Sequence, residues 1–119
     1  MTGQERRLHP RVNDETLSLT LNTGGFDTVT HTMNISASGL YCKLDREIPL
    51  MSRVRVVLML PDPIKDGKAK SVEVEGVIVR EHPVIIDGKI KHYDAAIFFD
   101  SLSSKDREVI TQYIARKKL

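Results

Sequence analysis

From residue 16 to residue 100 the chain alternates apolar and polar side chains at period two, the pattern of strands with one buried face. Leu17, Leu19 and Leu21 share one face against Ser18 and Thr20, and Asn22-Thr23-Gly24-Gly25 then supplies a turn. Val29, His31, Met33 and Ile35 alternate with threonines at 28, 30 and 32, which predicts a second strand with the first four in its apolar register. After a turn at Ser38-Gly39, Leu40, Cys42 and Leu44 alternate with Tyr41 and Lys43. Val54, Val56, Leu58 and Leu60 form a strand that Pro61 and Pro63 terminate, and Lys65-Asp66-Gly67-Lys68 reads as an exposed loop. Val72 and Val74 alternate with Glu73 and Glu75, but past Gly76 the run Val77-Ile78-Val79 is continuous. A bulge or bend at Gly76 would produce that change of phase. Asp87-Gly88 between Ile86 and Ile90 is a hairpin signal. Tyr93, Ala95, Ile97 and Phe99 complete the last strand, with Phe98 on its other face.

The period then changes. Ser103-Ser104-Lys105-Asp106 has the form of a capping box, and Val109, Ile110, Tyr113 and Ile114 recur at helical spacing. Arg116, Lys117 and Lys118 stand where they favour the negative end of that helix. At the other terminus residues 1–13 are polar, basic and without period, and Pro10 blocks a helix through them. About six short strands followed by one helix predict a mainly β fold, an antiparallel barrel or curled sheet with a C-terminal α-helix. The expected organisation is one domain over 1–119: a basic arm at 1–13, a β-barrel at 16–100 and a helix at 103–117.

Composition narrows the function. A net charge of +2 over 119 residues is far from the strong basicity of a typical nucleic-acid binder. Aromatic residues are 5% of the chain with no tryptophan, too few for the stacking platforms of a single-strand-binding barrel. Nucleic acid polymer is therefore not favoured as a partner. The single cysteine, Cys42, excludes an internal disulfide and lies in the apolar register of its strand, where it reads as a small buried hydrophobe. No apolar run approaches the roughly 20 residues of a membrane span, and the first residues lack a signal-peptide pattern, so the chain reads as cytoplasmic with no membrane partner. His9, His31, His82 and His92 have no metal-site spacing, and His31 reads as a hydrogen-bonded histidine at the barrel interior or rim. No nucleophile elbow, phosphate-cradling glycine loop or paired-carboxylate motif is present, so neither enzyme activity nor a cofactor or metal is expected.

Two short elements remain. Arg6, Arg7 and Arg11 crowd the arm, and Asn34-Ile35-Ser36-Ala37-Ser38-Gly39 lies between two strands. A guanidinium fork grips either two phosphate oxygens or the O6 and N7 acceptors of guanine. In an extended arm Arg7 and Arg11 lie about 13 Å apart, so both reach one ligand only if the arm turns or wraps. Asn34 offers an acceptor for a base N–H, Ser36 a hydroxyl for phosphate, and Gly39 a tight turn. On residue types alone, a solvated basic tail beside an Asx-type turn accounts for the same positions.

The two elements together resemble the PilZ domain family, bacterial receptors for cyclic di-GMP. The paired signatures RxxxR and [D/N]xSxxG stand here as Arg7 and Arg11, and as Asn34, Ser36 and Gly39. The resemblance covers essentially the whole chain. It implies a six-stranded split barrel holding cyclic di-GMP on its outer surface, with Arg7 and Arg11 on guanine edges and phosphates, Asn34 and Ser36 on base and phosphate, and Gly39 keeping the turn open. Arg6 resembles the extra arginine of members thought to take an intercalated ligand dimer. Asn34 stands where many members carry aspartate, which implies a weaker base contact. The ligand would bring arm and loop together and the rearranged surface would signal to an effector protein of a motility, exopolysaccharide or signalling system. A PilZ-like adaptor that binds only protein is the alternative, followed by a single-strand nucleic-acid-binding barrel.

Overall fold

The computed structural model describes residues 11–14, 17–23, 25–61 and 69–117. The 65–68 loop, Pro63, Pro10, Arg6 and Arg7 lie outside them. Among the described residues, seven strands and one helix follow in chain order: β1 (Arg11–Asn13), β2 (Ser18–Thr23), β3 (Phe26–Ser36), β4 (Gly39–Leu44), β5 (Arg53–Pro61), β6 (Ala69–Ile86), β7 (Lys89–Ser101) and α1 (Ser104–Lys117). The antiparallel order β3-β2-β5-β6-β7-β4 closes on itself through β3–β4, giving a six-stranded barrel without free edges around its ring. β1 is added on β3, so the last three residues of the basic arm are a strand of the sheet.

The barrel interior is filled by the predicted alternation: Leu17, Leu19, Leu21, Val56, Leu58, Leu60, Val72 and Val74 are all buried. Helix α1 lays Ile110, Tyr113 and Ile114 into the same core. Its start follows from Ser103, whose Oγ accepts from the Asp106 amide at 3.1 Å and satisfies one of the orphan donors of the first turn. The Asp87-Gly88 turn has φ of 53° and 76°. Those left-handed values suit the twist of a two-residue hairpin, and β6 and β7 run out from the barrel as a ribbon ending there. Among the described residues no helix is long and apolar enough to cross a membrane.

Two phase assignments are corrected. On β3 the expected apolar register fails before residue 34: Val29 is 69% exposed and His31 is exposed, whereas Thr32 is buried. The cause is a bulge. Thr32 pairs with Cys42 and Asn34 with Tyr41, leaving Met33 as an extra residue, and one extra residue turns every side chain beyond it to the other face. His31 is therefore an outer-surface residue and not part of the interior. On β6 the register does shift at Glu75/Gly76, but the extra residue is on β7, and the inward series Val72, Val74, Gly76, Ile78 is unbroken. The phase changes three residues later, where Ile78 pairs with Ile97 and Arg80 with Ala96, and Val79 is the extra residue.

Candidate functional site

The described part of the candidate site is assembled by β1, the β3–β4 turn and the adjoining stretch of β6 and β7. The pairing of β1 with β3 sets Arg11 opposite Ser36 and Asn13 opposite Asn34. From there the Arg11 guanidinium spans both motif residues: Nη1 donates to Asn34 Oδ1 at 2.5 Å and Nη2 to Ser36 Oγ at 3.3 Å. It also lies 5.6 Å from the centre of the Tyr41 ring, within cation–π range. Arg11 and the loop are thus joined by sheet pairing and side-chain hydrogen bonds of the protein's own. The expectation that a ligand must bring these two halves together does not hold for Arg11.

Each loop residue has a definite place. The Met33 bulge leaves Asn34 half-buried beside Tyr41, with its carbonyl oxygen engaged by Arg11. Ser36 is only 1% exposed. Its Oγ accepts from Arg11 and from the Ser38 amide at 3.2 Å, lies 3.0 Å from Ser38 Oγ, and donates to the Gly39 carbonyl at 3.4 Å. Ser36 is therefore an internal brace of the turn, and the serine that lines the pocket is Ser38. Gly39 also differs in its reason from the expectation. It is not among the described glycines with positive φ. A Cβ built there would sit 2.2 Å from the Ile97 carbonyl oxygen of β7, so glycine is required by the close approach of two backbones and not by a left-handed turn.

Beside this turn lies an open pocket of about 150 Å³, lined by Arg11, Ser38, Tyr41, Val79, Arg80 and Phe98 together with β4 and β7 backbone. That is well under the roughly 300 Å³ at which pockets for drug-sized ligands begin, room for one base-sized group of a larger molecule. Its floor is unusual for a surface: Phe98 is 50% and Val79 45% exposed. The β6 bulge supplies Val79 as the extra residue and sets Arg80 next to it at the pocket edge. Arg80 forms no ion pair among the described residues. Cation, aromatic ring and apolar shelf together suit a flat, neutral ring attached to a negatively charged group.

Tyr41, Val79, Arg80 and Phe98 were not singled out as site residues in the sequence. One signal was present: with Phe99 in the core register, Phe98 must point outward. The bulge at Val79 had an indirect sign: the continuous run Val77-Ile78-Val79 called for a bulge or bend, but the run itself placed it at Gly76, three residues early. Away from the pocket, burial, then the charge of Asp94, push the Cys42 thiol up to about 12, as expected of an inert core thiol. Among the described residues no group of three or more histidine, cysteine or carboxylate side chains is placed to hold a metal ion.

A family model for the PilZ domain matches residues 5–116, nearly the whole chain. The chain belongs to the PilZ domain family. Solved structures of similar fold agree. The Bacillus subtilis inhibitor of motility MotI/DgrA superposes with a TM-score of 0.79 at 21% identity, covering 95% of this chain and 51% of that one. The K. pneumonia MrkH complex with c-di-GMP gives 0.72 at 15% identity, covering 96% and 56%. The PilZ domain of YcgR from Escherichia coli, also with c-di-GMP, gives 0.64 at 13% identity, covering 95% and 96%. The chain spans about half the length of the MotI/DgrA and MrkH structures. Comparison with curated protein sequences returned no match.

Proposed function

We propose that this PilZ domain is a receptor for cyclic di-GMP, taking the dinucleotide between its arginine-bearing arm and the β3–β4 turn. The observation that carries the reading is the Arg11 fork over Asn34 and Ser36 at the edge of a pocket floored by Phe98 and Val79. Family membership and the two neighbours solved with c-di-GMP support it.

In this reading Arg11 and Arg7 take phosphate oxygens and guanine edges, Arg6 sets whether one ligand or an intercalated pair is held, and Asn34 accepts a base N–H through the remaining lone pair of its oxygen. One guanine lies on Phe98 and Val79 under Arg80. Ser36 acts through the turn: it holds Arg11, Ser38 and the Gly39 carbonyl in one arrangement, and Gly39 lets β4 approach β7 closely enough for Phe98 to adjoin Tyr41. The output is a change in the arm surface read by an effector protein, in keeping with a neighbour whose name is inhibitor of motility.

Equilibrium dialysis against cyclic di-GMP, GMP and a single-stranded oligonucleotide tests the reading. Cyclic di-GMP is retained at micromolar or tighter affinity, GMP at least a hundredfold more weakly, and both Arg7→Ala and Arg11→Ala lose the retention. Retention of the oligonucleotide alone, falling steeply with salt, would replace the reading with nucleic-acid binding. No retention of any of the three by folded protein leaves the protein-only adaptor.

A further inference from the structure

Asp14 directly follows β1 and lies three residues beyond Arg11, yet its side chain is only 1% exposed. Removing a carboxylate from water is costly unless its partners compensate, so its placement needs a reason. Tyr113 of α1 donates its hydroxyl to Asp14 Oδ2, and Lys117, one turn further along the helix, sets its ammonium 3.6 Å from the same oxygen. The backbone of Asp14 is fastened as well: its amide donates to the Met33 carbonyl at 3.0 Å, and its carbonyl accepts from the buried Thr32 hydroxyl at 2.5 Å. Both backbone contacts fall on the β3 bulge that orients Asn34.

The strand held in this way is short. β1 pairs with β3 through three residues, Arg11, Val12 and Asn13, against Ser36, Ile35 and Asn34. The Arg11 fork fixes one end of it and Asp14 the other. A slip of one residue would turn Arg11 away from Asn34 and Ser36 and bring Val12 out of the core.

We infer that Asp14 is the positioning residue of the site: through its carboxylate, helix α1 fixes β1 in register and so decides where the Arg11 guanidinium lies. Coupling of this kind is reciprocal. Occupation of the site at Arg11 therefore alters the C-terminal half of α1, which makes that helix end a second place, besides the arm, where ligand binding is felt. This last consequence rests on the cyclic di-GMP reading; the positioning role does not.

Hydrogen exchange resolved by segment, on the full chain, separates the two. In Tyr113→Phe the β1 amides exchange at least tenfold faster while the β5–β6 ladder keeps its protection. Lys117→Met, a change at a half-exposed side chain that leaves the fold intact, moves β1 in the same direction by less. Unchanged β1 exchange in both variants, or equal acceleration throughout the barrel, overturns the positioning role. With saturating cyclic di-GMP, exchange at residues 110–117 changes in the wild type, and Tyr113→Phe lowers affinity at least fivefold with that change lost. Unaltered helix exchange in the saturated wild type refutes the coupling. Absence of calorimetric binding by the wild type refutes the receptor reading instead, and the β1 comparison still decides the role of Asp14.

Discussion

Gly39→Ala separates two reasons for the glycine in the β3–β4 turn. If the residue served only a flexible turn, alanine would fit, because none of the positive φ angles falls at this position. The added methyl instead meets the Ile97 carbonyl oxygen at 2.2 Å and the Phe98 Cα at 3.3 Å, backbone atoms with no rotamer to give way. β7 is held on both sides there, by β6 and by β4, with Gly39 itself opposite Phe98. Relief must come from prising β4 off β7, the seam beside the pocket. Overpacking of this kind costs about 1–3 kcal/mol, and weakening one ladder hydrogen bond adds about 1 kcal/mol, so the expected loss is about 3 kcal/mol. In urea unfolding this lowers the midpoint with little change in slope, and it lowers Tm by roughly 10 °C. Gly25→Ala is the control: a Cβ there meets nothing within 4 Å, and the change should stay within about 0.5 kcal/mol. A Gly39→Ala protein as stable as the Gly25→Ala protein would refute the close-approach argument.

Burial raises the Cys42 thiol from 9.0 to about 12, so the folded state favours the protonated form. That stabilisation is complete below pH 9 and is lost between pH 9 and 12 as the unfolded chain releases its proton, with a slope of up to about 1.4 kcal/mol per pH unit. Alkaline unfolding of Cys42→Ala is correspondingly flatter, and a slope equal to wild type would contradict the burial argument. Arg80→Ala and Phe98→Ala each weaken cyclic di-GMP binding roughly tenfold, through lost cation–π and stacking contact, with little change in Tm, because both residues are exposed; equal affinity would remove the pocket from the site. Asn34→Asp restores a charged acceptor beside Arg11 and tightens binding about fivefold, measured by titration; weaker binding would mean that the amide donor is what the ligand uses. Ser103→Ala removes the α1 cap and costs about 1 kcal/mol in thermal unfolding.

The sequence carried the barrel because its alternation is long and its turn residues are specific: Leu17-Leu19-Leu21 and Val54-Val56-Leu58-Leu60 admit one inward face each. It lost the phase on β3 and misplaced its change on β6, where one extra residue entered each strand. Met33 and Val79 are ordinary strand residues by type, and only pairing with a neighbour reveals that they are unmatched. The β6 bulge lines the pocket with Val79 and Arg80, and the β3 bulge orients Asn34, whose strand partner Tyr41 also lines it. Pair contacts between distant segments were equally silent. Arg11, Asn34 and Ser36 were legible as motif residues, but the brace role of Ser36 follows from its burial, and Asp14 meets Tyr113 across 99 positions of chain. The glycine at 39 was legible as necessary and misread in cause, since a close backbone approach leaves no mark on the residue's own neighbours.

The central claim is that the arginines and the β3–β4 turn form one receptor for cyclic di-GMP. Isothermal titration of the ligand into wild type and into Arg11→Ala, both shown folded by circular dichroism, tests it most directly. Saturable heat in the wild type at micromolar or tighter affinity is expected, with a loss of at least a hundredfold in the variant. A flat titration for the folded wild type, or equal binding by Arg11→Ala, would contradict it.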